Sequence, residues 1–145
     1  MQINALVVDD SGIMRKMVMH SLMQSKLAQF IFTEASDGQD GLEKFDPKVH
    51  QMIFVDWNMP RLSGIDMVRQ IRASQKQHVP IVMITTEGTM GKVEEALETG
   101  GVDGYVVKPF TVDVLVAKLE PLFDKLSAAQ TQSKGFFGKL ASKLG

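Results

Sequence analysis

Apolar and polar positions along the chain follow two alternating periods. Residues 3–8 (INALVV) form a short, nearly continuous apolar run, the pattern of a strand buried on both faces. From Ile13, the residues Met14, Met17, Val18 and Leu22 recur at spacings of three and four, which predicts an amphipathic helix. Residues 30–33 predict a second strand, and Asp37 is placed to cap a helix carrying Leu42 and Phe45, closed by Pro47. The alternation then repeats. Strands are predicted over 52–55, 81–84 (entered through Pro80) and 105–107. Helices follow with Val68, Ile71 and Arg72 from about Ile65, then Val93, Ala96 and Leu97, then Val114, Leu115, Lys118 and Leu119 behind a Thr111 cap. Gly100-Gly101 supplies a left-handed end for the fourth helix.

Five strands alternating with five helices predict an α/β domain with a parallel sheet covered on both faces. Open sheets of this kind hold ligands at the carboxyl ends of their strands. Here those ends read Asp9-Asp10, Asp56, Thr85-Thr86 and Lys108-Pro109. One aspartate after a strand is ordinarily a turn former or a helix cap. Four strand ends that give Asp-Asp, Asp, Thr and Lys are better explained by one site. Converging carboxylates repel each other, and a hard cation relieves this. Magnesium takes oxygen ligands from a few carboxylates and keeps several waters. With Lys108 as a point charge and Thr85 as a hydroxyl donor, the set suits a phosphoryl group, with one carboxylate as nucleophile.

Composition narrows the class. The 145 residues fit one domain with a short appendage, and 44% apolar content supports a core. The absence of cysteine excludes disulfides, thiol catalysis and cysteine-held metals. A net charge of −1 gives no global field for nucleic acid. The charge is uneven: residues 1–124 carry 12 Lys/Arg against 17 Asp/Glu, whereas residues 125–145 carry four lysines and no acid. No apolar run approaches the ~20 residues that span a bilayer. The start of the chain has no basic n-region or cleavage site. A soluble, cytoplasmic, monomeric protein is expected.

The segments VVDDS (7–11), EASDG (34–38), VDWNMP (55–60), ITTEG (84–88) and GYVVKPF (104–110) together resemble the receiver domain of bacterial response regulators. The closest likeness is to the chemotaxis regulators of the CheY family, and it covers residues 1 to about 125. The resemblance implies a flavodoxin-like sheet of order 2-1-3-4-5. It implies Asp56 as phosphoacceptor, with Lys108 and Thr85 contacting the phosphoryl group. It implies Asp10, Asp56 and the backbone carbonyl of Asn58 as magnesium ligands, with Asp9 acting through water. A histidine kinase would supply the phosphoryl group. Thr85 would move toward it, Tyr105 would swing inward, and the face of helix four, strand five and helix five would repack. Lys108-Pro109 is expected to be cis. Asn58 and Glu87 flank the phosphoryl position in the family and set its lifetime. Their pairing here implies rapid dephosphorylation, with room for a phosphatase whose side chain completes the site. The implied output is the flagellar motor switch.

Other positions carry less. Trp57 is either packing at the sheet edge or a reporter of the site. Most of the ten methionines, including Met14, Met17, Met19 and Met23 of helix one, are expected to fill the core. His20, His50 and His78 share no metal spacing. Beyond the domain, residues 126–145 are expected to form an appended unit. SAAQTQS (127–133) reads as a flexible linker. Phe136, Phe137, Leu140 and Leu144 then fall on one face of a short basic amphipathic tail. The tail is expected to bind a partner or the domain itself, with only weak membrane affinity. About 20 residues after helix five leave no room for an effector domain, so protein contact is the expected output.

Three alternatives stay open. A phosphate sink or shuttle would look the same at the site. So would a receiver that controls a non-flagellar target through its tail. An enzyme of the same fold class is the third. A flavin carrier would need a Ser/Thr/Gly-rich loop where Asp9-Asp10-Ser11-Gly12 stands, and a dehalogenase-type phosphatase would need Asp-x-Asp after the first strand.

Overall fold

The computed structural model describes the backbone of residues 1–144 and the side chains through residue 129. Five parallel strands form one sheet of order β2-β1-β3-β4-β5. These are β1 (Gln2–Val8), β2 (Gln29–Ala35), β3 (Met52–Val55), β4 (Ile81–Thr85) and β5 (Gly104–Val107). The connections are α1 (Gly12–Ser25), α2 (Gly38–Lys44), α3 (Gly64–Ser74) and α4 (Met90–Glu94), and α5 (Val112–Leu144) follows β5. Helix α4 continues directly into a π-helical turn, Glu95–Gly100.

The period-two alternation of the strands builds two apolar layers. Leu6, Val8, Ile53, Val55 and Met83 face α3 and the π-turn, with Ile65, Val68 and Ala96 packed on them. Ala5, Val7, Phe54, Val82 and Ile84 face α1 and α5, with Leu22, Leu115 and Leu119 packed on them. Register then fixes the rim: Val8 pairs with Val55, Val55 with Met83, and Thr85 with Val107. The next polar residue of each strand therefore emerges at nearly the same level.

The caps agree with the sequence. Asp37 accepts from the Asp40 amide at 2.8 Å, and Thr111 accepts from the Val114 amide at 3.2 Å. Gly101 closes the π-turn at φ 89°, the left-handed geometry glycine tolerates.

Two expectations need correction. None of the four α1 methionines is buried: Met14 and Met19 are half-buried, and Met17 and Met23 are exposed. Helix α1 is apolar around most of its circumference, so spacing alone does not choose its inner face. Val18 and Leu22 take that face, and Ile13, Met17 and Met23 point outward. Secondly, helical backbone runs through 127–133, where a linker is expected. Alanine and glutamine are good helix formers, so small polar composition alone does not break a helix there. Phe136, Phe137, Leu140 and Leu144 lie outside the described side chains.

Candidate functional site: an acidic pocket at the strand ends

Ser11, not an aspartate, caps α1, accepting from the Met14 amide at 3.2 Å. The preceding carboxylates are thereby free for another task. Asp9 Oδ1 accepts from the Ser11 amide at 2.9 Å, which turns the Asp9 side chain into the rim. The Asp56 amide donates to the Val8 carbonyl at 2.9 Å, seating the end of β3 beside the end of β1. One carboxylate oxygen from each of Asp9, Asp10 and Asp56 lies within 4.8 Å of the others.

Lys108 closes the cluster from β5. Its Nζ lies 2.9 Å from Asp9 and 3.6 Å from Asp56, and only 8% of the residue is exposed. One ammonium among three carboxylates leaves the pocket with surplus negative charge. That surplus, with oxygen donors only, is the donor chemistry of a hard divalent cation. Burial raises the Asp56 carboxyl above the usual carboxylate range. The Thr85 hydroxyl, Lys108 and the Trp57 amide oppose this, and the Asp9 charge reinforces it. Thr85 is fully buried, and its Oγ1 also accepts from the Glu87 amide at 3.3 Å.

The rim residues are joined to one another. Asn58 Nδ2 donates to Glu87 Oε1 at 2.7 Å. The Tyr105 hydroxyl donates to the Glu87 carbonyl, and its ring is buried. Burial, and then the nearby Glu87 and Asp56 charges, push the phenol up to about 12. The Lys108-Pro109 bond is cis. Beside Lys108 and Thr86, a cleft of about 260 Å³ is lined by Met14, Met17, Val18 and Phe110. Of the residues singled out from sequence, Asp9, Asp10, Asp56, Asn58, Thr85, Glu87, Tyr105 and Lys108 all come to this rim. His50 does not; it is buried elsewhere, between the Asp46 amide and the Thr33 hydroxyl, each 3.0 Å away.

Four contributors escape a sequence reading. Arg15 Nη1 donates to the Asp9 carbonyl at 2.6 Å. Lys92 Nζ sits 4.7 Å above the buried Trp57 ring. Arg61 pairs with Asp37 at 2.7 Å. Gly64 lies so near the phosphoacceptor candidate that a Cβ there would stand 1.8 Å from the Asp56 carbonyl oxygen. The one available signal was Gly64 itself, a glycine opening a helix just after a functional loop.

Comparison with known proteins adds a family. Residues 5–120 match the model of the response regulator receiver domain. Chemotaxis protein CheY1 of Helicobacter pylori is 44% identical over 117 residues, covering 79% of this chain and 92% of that protein. Chemotaxis protein CheY of Pseudomonas aeruginosa is 37% identical over 127 residues, 84% of this chain and 97% of that one. Among solved structures, the chemotaxis response regulator CheY4 of Vibrio cholerae superposes with a TM-score of 0.71 at 33% identity, covering 83% of this chain and 98% of that one. Among the described residues, no helix is long and apolar enough to cross a membrane. The matched span carries the whole acidic rim, and the strand order is the one these motifs imply, so the chain belongs to the response regulator receiver domain family, in its CheY-type chemotaxis branch.

Proposed function

We propose that this protein is a cytoplasmic chemotaxis regulator that accepts a phosphoryl group on Asp56 from a kinase phosphohistidine. The supporting observation is the convergence of Asp9, Asp10 and Asp56 within 4.8 Å, with Lys108 Nζ 3.6 Å from Asp56. A bound Mg2+ would be held by Asp10, Asp56 and the Asn58 carbonyl, with Asp9 through water. It would neutralise charge on the transferring group. The chain's own groups do the rest. An Asp56 carboxylate oxygen attacks phosphorus in line, the P–N bond breaks, and the imidazole leaves on the donor. Lys108 stays ion-paired to the pocket and offers its charge to the incoming oxygens. Thr85 supplies a hydroxyl, and Asn58 and Glu87 stand where a hydrolytic water must approach.

The output follows from the same rim. Tyr105 and Thr85 link the pocket to a face bearing the exposed apolar residues Met90, Leu97, Val107 and Val114, on α4, its π-turn, β5 and α5. Such exposed apolar residues suit a protein partner, and the flagellar motor switch is the target we assign. Residues 1–125 form the receiver unit in this reading, and 126–145 a short basic amphipathic tail appended to it.

The test is phosphorylation of wild type and Asp56→Asn with acetyl phosphate and Mg2+. A mass gain of one phosphoryl group in wild type alone, abolished by chelation, is expected. An unchanged mass in the wild type, or an equal gain in Asp56→Asn, would remove Asp56 from this role.

A further inference from the structure

The segment between Asp56 and Gly64 must deliver the Asn58 carbonyl to the pocket. Its two ends are joined by the Gly64 amide donating to the Trp57 carbonyl at 2.8 Å. Between them Arg61 stands at φ 65°, a left-handed conformation that disfavours residues other than glycine and, less so, asparagine or aspartate. Something must hold an arginine there. The guanidinium engages Asp37 with both arms, Nε to Oδ2 at 2.7 Å and Nη2 to Oδ1 at 3.1 Å. A parallel backbone bond runs from the Gly38 amide to the Leu62 carbonyl at 3.1 Å.

Asp37 is itself anchored. It is buried and caps α2 through the Asp40 amide. Helix α2 is seated by Gly41, where a Cβ would lie 2.7 Å from Met67 and 3.2 Å from Val8. Val8 is the residue before Asp9. The pair thus ties the Asn58 loop to the strand that carries the other two carboxylates.

We infer that Arg61 is a positioning residue: its two-armed pairing with Asp37 holds the 57–63 loop in the conformation that presents the Asn58 carbonyl to the cation. This rests on the reading of the acidic pocket as a magnesium site. The arginine touches neither cation nor phosphoryl group. Its effect is on how well the third ligand is preorganised, hence on cation affinity rather than on chemistry once the cation is bound.

The experiment compares wild type, Arg61→Gly, Asp37→Asn and the double variant. Arg61→Gly suits the left-handed backbone yet deletes the pair. Asp37→Asn keeps a good helix cap yet weakens the pair, and it serves if the glycine variant does not fold. Mg2+ is titrated by Trp57 fluorescence, and amide exchange is measured without metal. Each single variant should bind Mg2+ about 10-fold more weakly, the usual scale for an outer partner of a ligand. The double variant should be no worse than the singles, since both break one interaction. At saturating Mg2+ the phosphorylation rate should return to that of wild type. Without metal, amide exchange at Gly38 and Gly64, whose amides bond the Leu62 and Trp57 carbonyls, should quicken while Phe54 in β3 stays protected. Wild-type Mg2+ affinity in a folded Arg61→Gly would overturn the inference and leave the magnesium reading standing. A wild type that ignores Mg2+ would overturn the ligand role, and with it the reading of the pocket, whatever the exchange data show for the clamp.

Discussion

The Asn58 carboxamide and the Glu87 carboxylate meet at 2.7 Å across the opening of the acidic pocket, joining the loop after β3 to the loop after β4. Each side chain limits where the other can go, so in the proposed hydrolysis neither would act alone on a water approaching Asp56. Alanine at either position should change the rate of aspartyl-phosphate loss. The double variant should not show the product of the two effects, because residues in direct contact couple. Following the decay of phosphorylated protein in a full mutant cycle gives the coupling. Strict multiplicativity of the two rates would show that the contact has no part in the lifetime.

Charge balance in the pocket makes two opposite predictions. Asp10→Asn removes one of three mutually repelling carboxylates, and without metal it should raise stability by about 1 kcal/mol. It should also abolish stabilisation by Mg2+, which in the wild type grows with cation concentration. Lys108→Ala strands the buried Asp9 carboxylate, and should lower stability by about 3 kcal/mol. Urea unfolding with and without Mg2+ reads all of these.

Two glycines differ in what a methyl group would meet. At Gly64 it would overlap the Asp56 carbonyl, so Gly64→Ala should cost about 3 kcal/mol or more and distort the loop. At Gly91, in α4, nothing lies within 4 Å, so Gly91→Ala should stabilise by about 0.5–1 kcal/mol. Chemical denaturation of the two variants separates the cases.

Tyr105 is the single tyrosine, so its ionisation can be followed cleanly in the ultraviolet. With burial pushing it up to about 12 in the folded chain, its contribution to stability is complete below pH 10. That contribution is lost as the pH rises from 10 to about 12, because only the unfolded chain ionises in that window. Tyr105→Phe should flatten this part of the stability profile. A native phenol titrating near 10 would contradict the buried, carboxylate-flanked position.

The strand ends were legible because Asp9, Asp10, Asp56, Thr85 and Lys108 each interrupt or follow an apolar run, and strand order carries them to one rim. The pairing of Arg61 with Asp37 was not, since the two stand 24 positions apart and meet only once α2 is seated on β1. The outward methionines of α1 were hidden for a different reason. Period 3.6 finds an apolar stripe only when polar residues gather opposite it, and in α1 Arg15, Lys16, His20, Ser21, Gln24 and Ser25 are interleaved with the apolar positions. The π-turn after α4 left no trace at all, because the Glu95–Gly100 sequence has ordinary helical spacing.

Lys92 resting on the Trp57 indole has an optical consequence. The cation comes from α4 and the fluorophore from the loop beside Asp56, so emission is expected to report the separation of two elements as well as the arrival of a ligand. The pair would gauge the distance between the proposed phosphoacceptor and the proposed output face. Replacing Lys92 with methionine would disconnect the gauge from the face while leaving the indole in place, turning one optical trace into two separable ones.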